Sequence, residues 1–223
     1  MSSGHAPGFS NIPMVYIVDD EAAVRASLAW LLRSRRLLSQ SFVSGEAFEA
    51  SIDAAEPIVA ESWPDGPSCM LLDLRMGGMS GLTLFERLAE RGLMRAMPVI
   101  FLTGHGDVST AVSALKRGAF DFVEKPFSDN ALVDRVERAL ASSADALEKR
   151  TDCQRKARVL HQLSDREKAV MTLLAKGLPN KLIADSLNLS IRTIEIHRAR
   201  LFEKLGVSSA VEVVNVLYAA RDH

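Results

Sequence analysis

Polar side chains stand at the ends of four short apolar runs in the first part of the chain. The first run is followed by Asp19 and Asp20, the second ends on Asp73, the third ends on Thr103, and the fourth is followed by Lys125. Carboxylates that lie together raise one another's pKa unless a cation neutralises them, and oxygen ligands in an open pocket favour Mg²⁺. A carboxylate held beside Mg²⁺, a lysine and a hydroxyl can attack a phosphoryl group and form an acyl phosphate. If these side chains meet, Asp73 is the expected nucleophile, and Thr103 and Lys125 are expected to hold the phosphate.

These polar residues would meet if the apolar runs form one parallel sheet. The runs at 14–18, 41–43, 69–73, 98–103 and 120–124 are each followed by a helical pattern. This alternation predicts an α/β, doubly wound, five-stranded parallel sheet with helices on both faces. In the strand order 2-1-3-4-5, strands one and three flank the crevice where such sheets bind ligands. Taken singly, each polar residue is better explained as a helix cap, a turn residue or a solvated side chain, so the chemistry depends on their meeting.

Charge divides the chain into an acidic front and a basic back. Residues 1–142 carry 13 Lys and Arg against 18 Asp and Glu, a net charge of −5, and residues 143–223 carry 14 against 10, a net charge of +4. The back part is therefore the better candidate to bind a polyanion. Cys69 and Cys153 form no C-x-x-C pair, which argues against a disulfide framework or a zinc site. The sequence has no apolar stretch of about 18 residues and no signal pattern, so we expect a cytoplasmic protein without a membrane partner.

The back part predicts a small all-α domain. Helical patterns occupy 164–177, 180–190, 191–206 and 208–221, and the first opens with a Ser-x-x-Glu capping box. Two short helices joined by a tight turn, the second rich in arginine, are typical of a helix-turn-helix. The sequence therefore predicts that this domain binds DNA.

The second helix of that pair has an unusual exposed face. At helical spacing Ile194, Leu201 and Leu205 share the core side, and Glu195 and Ile196 lie opposite. An isoleucine gains nothing in water but fits a thymine methyl in a major groove, while a glutamate can accept from a cytosine amino group. For any single lysine or arginine, a solvated charged face is the alternative. The predicted contacts to DNA bases and phosphates are Lys181, Arg192, Thr193, Glu195, Ile196, Arg198, Ala199, Arg200 and Lys204.

Four motifs of the front part resemble the receiver domain of two-component response regulators. They are "VDDE" (18–21), "LLDLRMGGMSGL" (71–82), "FLTGHGD" (101–107) and "FDFVEKPF" (120–127), in the order and spacing of that family. The resemblance implies that Asp73 accepts phosphate from a histidine kinase and that the Lys125-Pro126 peptide bond is cis. The residues it implies for Mg²⁺ are Asp19, Asp20, Asp73 and the Arg75 backbone carbonyl, and those for the phosphate and the switch are Lys125, Thr103 and Phe122.

The sequence departs from the receiver pattern directly after Asp73. The family usually has Met-Pro there, whereas Met76 is followed by Gly77-Gly78, so we expect a more flexible loop and an altered phosphate lifetime. Arg75 and His105 occupy positions that flank the site in this family, and we expect them to tune hydrolysis, although His105 fits an exposed loop equally well. An aspartyl phosphatase would need a second aspartate where Arg75 stands, which argues against an enzyme.

The back part resembles the DNA-binding domain of NarL/FixJ regulators, also called the FixJ/LuxR type. The matching motifs are "LSDREKAVMTLLAKG", "NKLIADSLNLS" and "TIEIHRARLFEKLGV". The resemblance implies that helix 192–205 enters the major groove and that the last helix helps two copies pair. The chain is thus expected to comprise a receiver domain (13–140), a helical linker (141–162) and a LuxR-type helix-turn-helix domain (163–221). The candidate dimer residues are Val211, Val214 and Leu217.

Both resemblances lead to one expected function. The chain would be a two-component response regulator of a phosphorelay that accepts phosphate on Asp73, forms a homodimer and binds double-stranded promoter DNA to regulate transcription. Its partners would be a sensor histidine kinase and DNA, with RNA polymerase as a further candidate. The alternative, for which Gly77-Gly78 is the hint, is a receiver with an impaired switch in a protein that binds DNA constitutively.

Overall fold

The computed structural model describes residues 12–54, 63–104 and 108–219, and the chain divides into two units after Leu147. The first unit contains a five-stranded, all-parallel sheet in the order β2-β1-β3-β4-β5, which confirms the predicted fold and strand order. The strands are β1 (Met14–Val18), β2 (Leu38–Phe42), β3 (Ser68–Asp73), β4 (Val99–Thr103) and β5 (Asp121–Glu124).

Helices cover both faces of this sheet. On one face Phe48 and Phe85 are buried against the strands, and on the other face Leu32 and Val136 are. All positions of β3 and β4 are buried, because central parallel strands contact helices on both sides. The helices are α1 (Ala22–Ser34), α2 (Gly45–Asp53), α3 (Gly81–Glu90), α4 (Val108–Lys116) and α5 (Asp129–His161), with a 3₁₀ turn at Leu93–Arg95.

The second strand differs from its prediction. The sequence predicts it at 41–43, whereas β2 begins at Leu38 and pairs along its length with β1. β2 is an edge strand, so Leu38 and Gln40 are exposed and the segment lacks a long apolar run. Val43, which the prediction included, is exposed beyond the end of the strand.

The second unit is an all-α domain around its own core. Val170, Ile183, Ile194, Leu201 and Val213 are buried there together. Apart from the last part of α5, its described helices are α6 (Asp165–Ala175), α7 (Asn180–Leu187), α8 (Ile191–Leu205) and α9 (Ala210–Ala219). In the segment 141–162, predicted as a helical linker, residues 141–161 belong to α5, which ends at His161.

The turn between α7 and α8 depends on two residues. Asn188 ends α7 in the left-handed region at φ 52°, a conformation that asparagine adopts more readily than most residues. The Ser190 side chain then accepts from the Thr193 amide and caps α8. This tight junction places α7 and α8 as the predicted helix-turn-helix pair.

Candidate functional site

The carboxyl ends of β1, β3 and β5 bring three charged side chains together. Asp19 directly follows β1 and is buried, Asp73 is the last residue of β3 and is 8% exposed, and Lys125 directly follows β5. Lys125 Nζ donates to Asp19 Oδ2 at 3.0 Å and to Asp73 Oδ1 at 2.7 Å. The predicted meeting of these strand ends is therefore present. The Lys125-Pro126 peptide bond is cis, as the resemblance implies.

Burial and neighbouring charges both shift the pKa values of Asp73 and Lys125. Burial raises the pKa of Asp73, and the negative charge of Asp19 adds to it, against the opposing effect of Lys125 and the Arg75 amide. Burial lowers the pKa of Lys125, but hydrogen bonds and charges from Asp73 and Asp19 outweigh it and leave the pKa raised. A protonated Lys125 offsets only part of the negative charge in the pocket, so a second cation would be stabilised there.

The three carboxylates predicted to hold Mg²⁺, those of Asp19, Asp20 and Asp73, differ in exposure and in hydrogen bonding. Within 12–54, 63–104 and 108–219, no three His, Cys, Asp or Glu side chains form a group that could hold a metal ion. The Asp19 oxygens accept from the Glu21 amide and from Lys125. Asp20 is exposed at the rim of the pocket, and Asp73 lies inside it. Mg²⁺ needs only one or two carboxylates, together with carbonyl and water oxygens.

The loop that follows β3 is held by carboxylates. Asp73 Oδ2 accepts from the Arg75 amide, and Asp20 Oδ2 accepts from the Gly77 amide, both at 2.9 Å. Sequence reasoning missed Glu46, whose Oε1 accepts from the Met79 amide. A glutamate in the first turn of a helix is commonly explained by its favourable interaction with the helix dipole. The position of Glu46 in the sequence therefore did not indicate a contact with Met79.

The two predicted switch residues lie on neighbouring strands. Thr103 is buried at the end of β4, and its hydroxyl donates to the Val123 carbonyl of β5 at 3.4 Å. Phe122 is half-buried on β5 and packs against the core on the face of α2 and α3. A Thr103 hydroxyl that turned toward Asp73 would give up its contact with β5, next to Phe122. His105 lies outside the described residues.

The predicted DNA-contact residues fall into two groups. Ile196 is 43% exposed, although it is apolar, and the Arg192 side chain is 84% exposed beside Glu195. This first group forms an open surface on α7 and α8. Its members are Lys181, Arg192, Glu195, Ile196, Ala199 and Arg200.

The remaining three contact the protein itself. Thr193 hydrogen-bonds with the Ser190 cap. Arg198 donates to the Asn180 side chain and lies 5.5 Å from the centre of the Phe202 ring, so it ties α8 to the start of α7. Lys204 Nζ donates to Glu167 Oε2 at 2.8 Å. DNA contacts by these three residues stay predictions.

Glu167 is a buried carboxylate at the centre of a polar network in the second unit. It completes the predicted capping box by accepting from the Ser164 amide, while the Ser164 side chain accepts from the Glu167 amide. The hydrogen bond from Lys204, with help from Ser164 and against the effect of burial, lowers the pKa of Glu167 from 4.5 to about 2. Ionised Glu167 therefore stabilises the folded domain.

This network predicts acid sensitivity of the second unit. The folded pKa of Glu167 lies below its ordinary value, so its contribution is complete above pH 4.5 and falls as the pH drops toward about 2. Glu167→Gln should lower the free energy of unfolding at neutral pH by about 1–2 kcal/mol, since Lys204 is partly solvated. Urea titrations of both proteins between neutral pH and pH 3 check this. If the difference in free energy of unfolding between the two proteins stayed constant from neutral pH to pH 3, the predicted acid sensitivity would be contradicted.

The candidate dimer residues on α9 differ in exposure. Val211 is 70% exposed, whereas Val214 and Leu217 are half-buried, and Leu217 packs against the core of the second unit. Of these three residues, only Val211 has most of its side chain exposed.

Among the helices of residues 12–54, 63–104 and 108–219, none combines the length with the hydropathy that a membrane-spanning segment requires.

Known proteins resemble both units. Residues 15–137 match the family of the response regulator receiver domain, and residues 161–217 match the luxR family of bacterial regulatory proteins. The C4-dicarboxylate transport transcriptional regulatory protein DctR of Rhodobacter capsulatus is 41% identical over 203 residues, which cover 91% of this chain and 98% of DctR. The transcriptional regulatory protein FixJ of Rhizobium meliloti is 40% identical over 210 residues, which cover 92% of this chain and 95% of FixJ.

Two solved structures are similar over almost the whole chain. The response regulator StyR aligns with a TM-score of 0.78 at 33% identity and covers 93% of this chain and 98% of its own. Full-length FixJ from B. japonicum aligns with a TM-score of 0.54 at 35% identity and covers 94% of this chain and 98% of its own.

Proposed function

Because this chain belongs to the response regulators, with a receiver domain and a luxR-family DNA-binding domain, we propose that it carries phosphate on Asp73. Its relatives are transcriptional regulators, and we propose that phosphate from a histidine kinase makes this chain dimerise and bind promoter DNA. The observation that carries the proposal is the contact of Lys125 with both Asp19 and Asp73 at the strand ends. The positive charge of Lys125 beside the Asp73 carboxylate supports this proposal.

The phosphotransfer step uses the Asp73 carboxylate as nucleophile. One of its oxygens attacks the phosphorus of a phosphohistidine and forms an O–P bond while the P–N bond breaks. The histidine nitrogen leaves with the electron pair of that bond and takes up a proton. Lys125 would pair with the phosphoryl oxygens, and the Thr103 hydroxyl would leave Val123 to do the same. Mg²⁺, held by Asp20, Asp73 and the Arg75 carbonyl beside Asp19, would supply further positive charge to these oxygens.

Phosphorylation would then change the surface of the receiver domain. Movement of Thr103 frees space beside β5, and Phe122 is the ring that would fill it. A changed surface around α4 and β5 would favour a dimer, and a dimer presents two α8 helices to a two-fold site one helical turn apart. The chain needs no enzymatic turnover of another substrate for this role, and Arg75 stands where a phosphatase would need an acid.

Sedimentation velocity tests the link between phosphate and assembly. We expect the wild-type protein to shift from monomer to dimer on addition of beryllofluoride with Mg²⁺, and the Asp73→Asn protein to stay monomeric. Fluorescence anisotropy with a duplex selected from a random pool should show tighter binding under the same conditions. A wild-type protein that binds this duplex equally well with and without beryllofluoride would overturn the proposal in favour of constitutive binding.

The exposed face of α8 predicts how single changes alter DNA binding. Arg200→Ala should weaken binding to all sequences and reduce the slope of log affinity against log salt by about 1, since it removes one phosphate contact. Ile196→Ala should cost about 1 kcal/mol and relax the preference at one A·T pair. Arg138→Ala, an exposed arginine on α5 of the first unit, is the matched control. Equal slopes of log affinity against log salt for Arg200→Ala and Arg138→Ala would contradict the phosphate contact proposed for Arg200.

A further inference from the structure

Alternate backbone amides of the loop 74–80 each meet a carboxylate. Asp73 accepts from the amide of Arg75, and Asp20 accepts from that of Gly77. The third carboxylate lies outside the pocket, on α2, and its acceptor atom is 2.9 Å from the amide of Met79. The loop is thus tied to the nucleophile, to the rim of the pocket and to a neighbouring helix.

The third contact comes from Glu46 in the first turn of α2. Gly78, at φ +84°, passes so close that an added Cβ would lie 3.1 Å from Glu46 Oε1. The side chain of Met79 packs on Gly45, where an added Cβ would lie 2.9 Å from the methionine sulfur. The start of α2 and the end of the loop are therefore in close contact through both backbone and side chains.

Two consecutive glycines make this loop dependent on such contacts. Gly77 and Gly78 have no side chain that restricts their backbone, so they lose more conformational freedom on folding than other residues do. The loop carries the Arg75 carbonyl, and its Gly77 amide fixes Asp20 relative to the loop. A displaced loop would therefore displace two of the groups that the proposed function assigns to Mg²⁺.

We propose that Glu46 is a positioning residue that holds the loop 74–80 in place for Mg²⁺ binding and phosphate chemistry at Asp73. This inference rests on the proposed function, because it assigns Glu46 a part in the same pocket. Glu46 touches neither the nucleophile nor the metal-binding groups in this assignment. Its hydrogen bond to the loop comes from the amide of Met79.

The next acidic residues of α2 provide a matched control. Glu49 pairs with Arg87 at 2.8 Å and Asp53 pairs with Arg91 at 2.9 Å, and both partners lie on or directly after α3. These ion pairs tie α2 to α3 at the surface, whereas Glu46 accepts from a loop amide. Arg87 also interacts with the Glu46 carboxylate, so Asp53 is the better control. Its loss removes a carboxylate from the same helix without changing a partner of Glu46.

Calorimetric titration of the full chain with Mg²⁺ alone tests the inference. We expect Glu46→Ala to weaken Mg²⁺ binding by about 10-fold, as removal of groups that orient metal ligands does elsewhere. Glu46→Gln keeps an acceptor oxygen for the Met79 amide and should restore most of the affinity. Asp53→Ala should bind Mg²⁺ as the wild type does. Thermal unfolding without Mg²⁺ provides a measure of any general loss of stability in each variant.

A second measurement uses the phosphorylated protein. After labelling with a small-molecule phosphodonor and removal of the donor, the phosphate lifetime should change in Glu46→Ala and not in Asp53→Ala. Equal Mg²⁺ affinity and equal lifetime in these two variants, with a wild type that binds Mg²⁺ and is labelled, would overturn the inference and leave the proposed function intact. A wild type that neither binds Mg²⁺ nor is labelled would overturn the proposed function itself.

Discussion

The Asp73→Asn protein is expected to take up no phosphoryl group from a small-molecule phosphodonor in the presence of Mg²⁺, whereas the wild type is labelled. An amide is not nucleophilic enough to form the O–P bond. Of the two carboxylates that contact Lys125, Asp19 is completely buried, whereas Asp73 is partly exposed. Intact-mass spectrometry reports the result directly. We expect labelling to fall from near completion to background.

The stability of the same variant separates lost chemistry from lost structure. Burial and the charge of Asp19 raise the pKa of Asp73, so its ionised form is disfavoured in the folded protein. A neutral amide removes that penalty, and urea unfolding should show the variant to be no less stable than the wild type. Asp65→Asn, at an exposed aspartate, is the control that should be labelled normally. Undiminished labelling of Asp73→Asn would place the phosphate on another residue.

Gly81→Ala is expected to destabilise the first unit by about 3 kcal/mol, because it overfills a site closed by backbone atoms. A Cβ at Gly81 would lie 2.1 Å from the Asp73 carbonyl oxygen and 3.2 Å from Leu72 Cγ. Neither β3 nor the start of α3 can shift freely, since the Gly81 amide also donates to the Leu74 carbonyl at 3.2 Å. Urea unfolding followed by circular dichroism measures the effect.

Gly77→Ala is the control for this prediction. Its Cβ would lie 3.7 Å from Asp20 Oδ2, an ordinary contact, and its φ lies outside the left-handed region. A less flexible unfolded chain should make this variant more stable by about 0.4–1 kcal/mol. If Gly81→Ala and Gly77→Ala had similar free energies of unfolding, the close packing of Gly81 against β3 would be contradicted.

The pocket could be predicted because its residues follow a rule of topology. Parallel strands point the same way, so Asp19, Asp73 and Lys125 at three strand ends had to lie at one edge of the sheet. The core strands β3 and β4 could also be predicted from the sequence. Burial on both faces makes each of them a continuous apolar run. In the second unit the Ser164 capping box is confirmed, because both of its partners lie within one helical turn.

Contacts between distant polar residues could not be predicted in this way. Glu46 and Met79 are 33 positions apart, and Glu167 and Lys204 are 37 apart, with no periodicity that joins them. The sequence around a charged residue in a helix looks the same whether its side chain is solvated or forms an ion pair. The inward position of Arg198 beside Asn180 is a further case, because the helix period alone placed it only near the core side.

The polarity of β2 also protects the sheet against aggregation. An open edge strand exposes unpaired amides and carbonyls, and a long apolar edge is a template for strand addition by another chain. Ser39, Gln40 and Ser41 line one edge of this sheet, and β5 at the other edge is short and carries Asp121 and Glu124. The residues that make β2 hard to recognise therefore disfavour edge-to-edge pairing between copies. Apolar substitutions at the outward positions of β2 should increase the tendency of the chain to form fibrils.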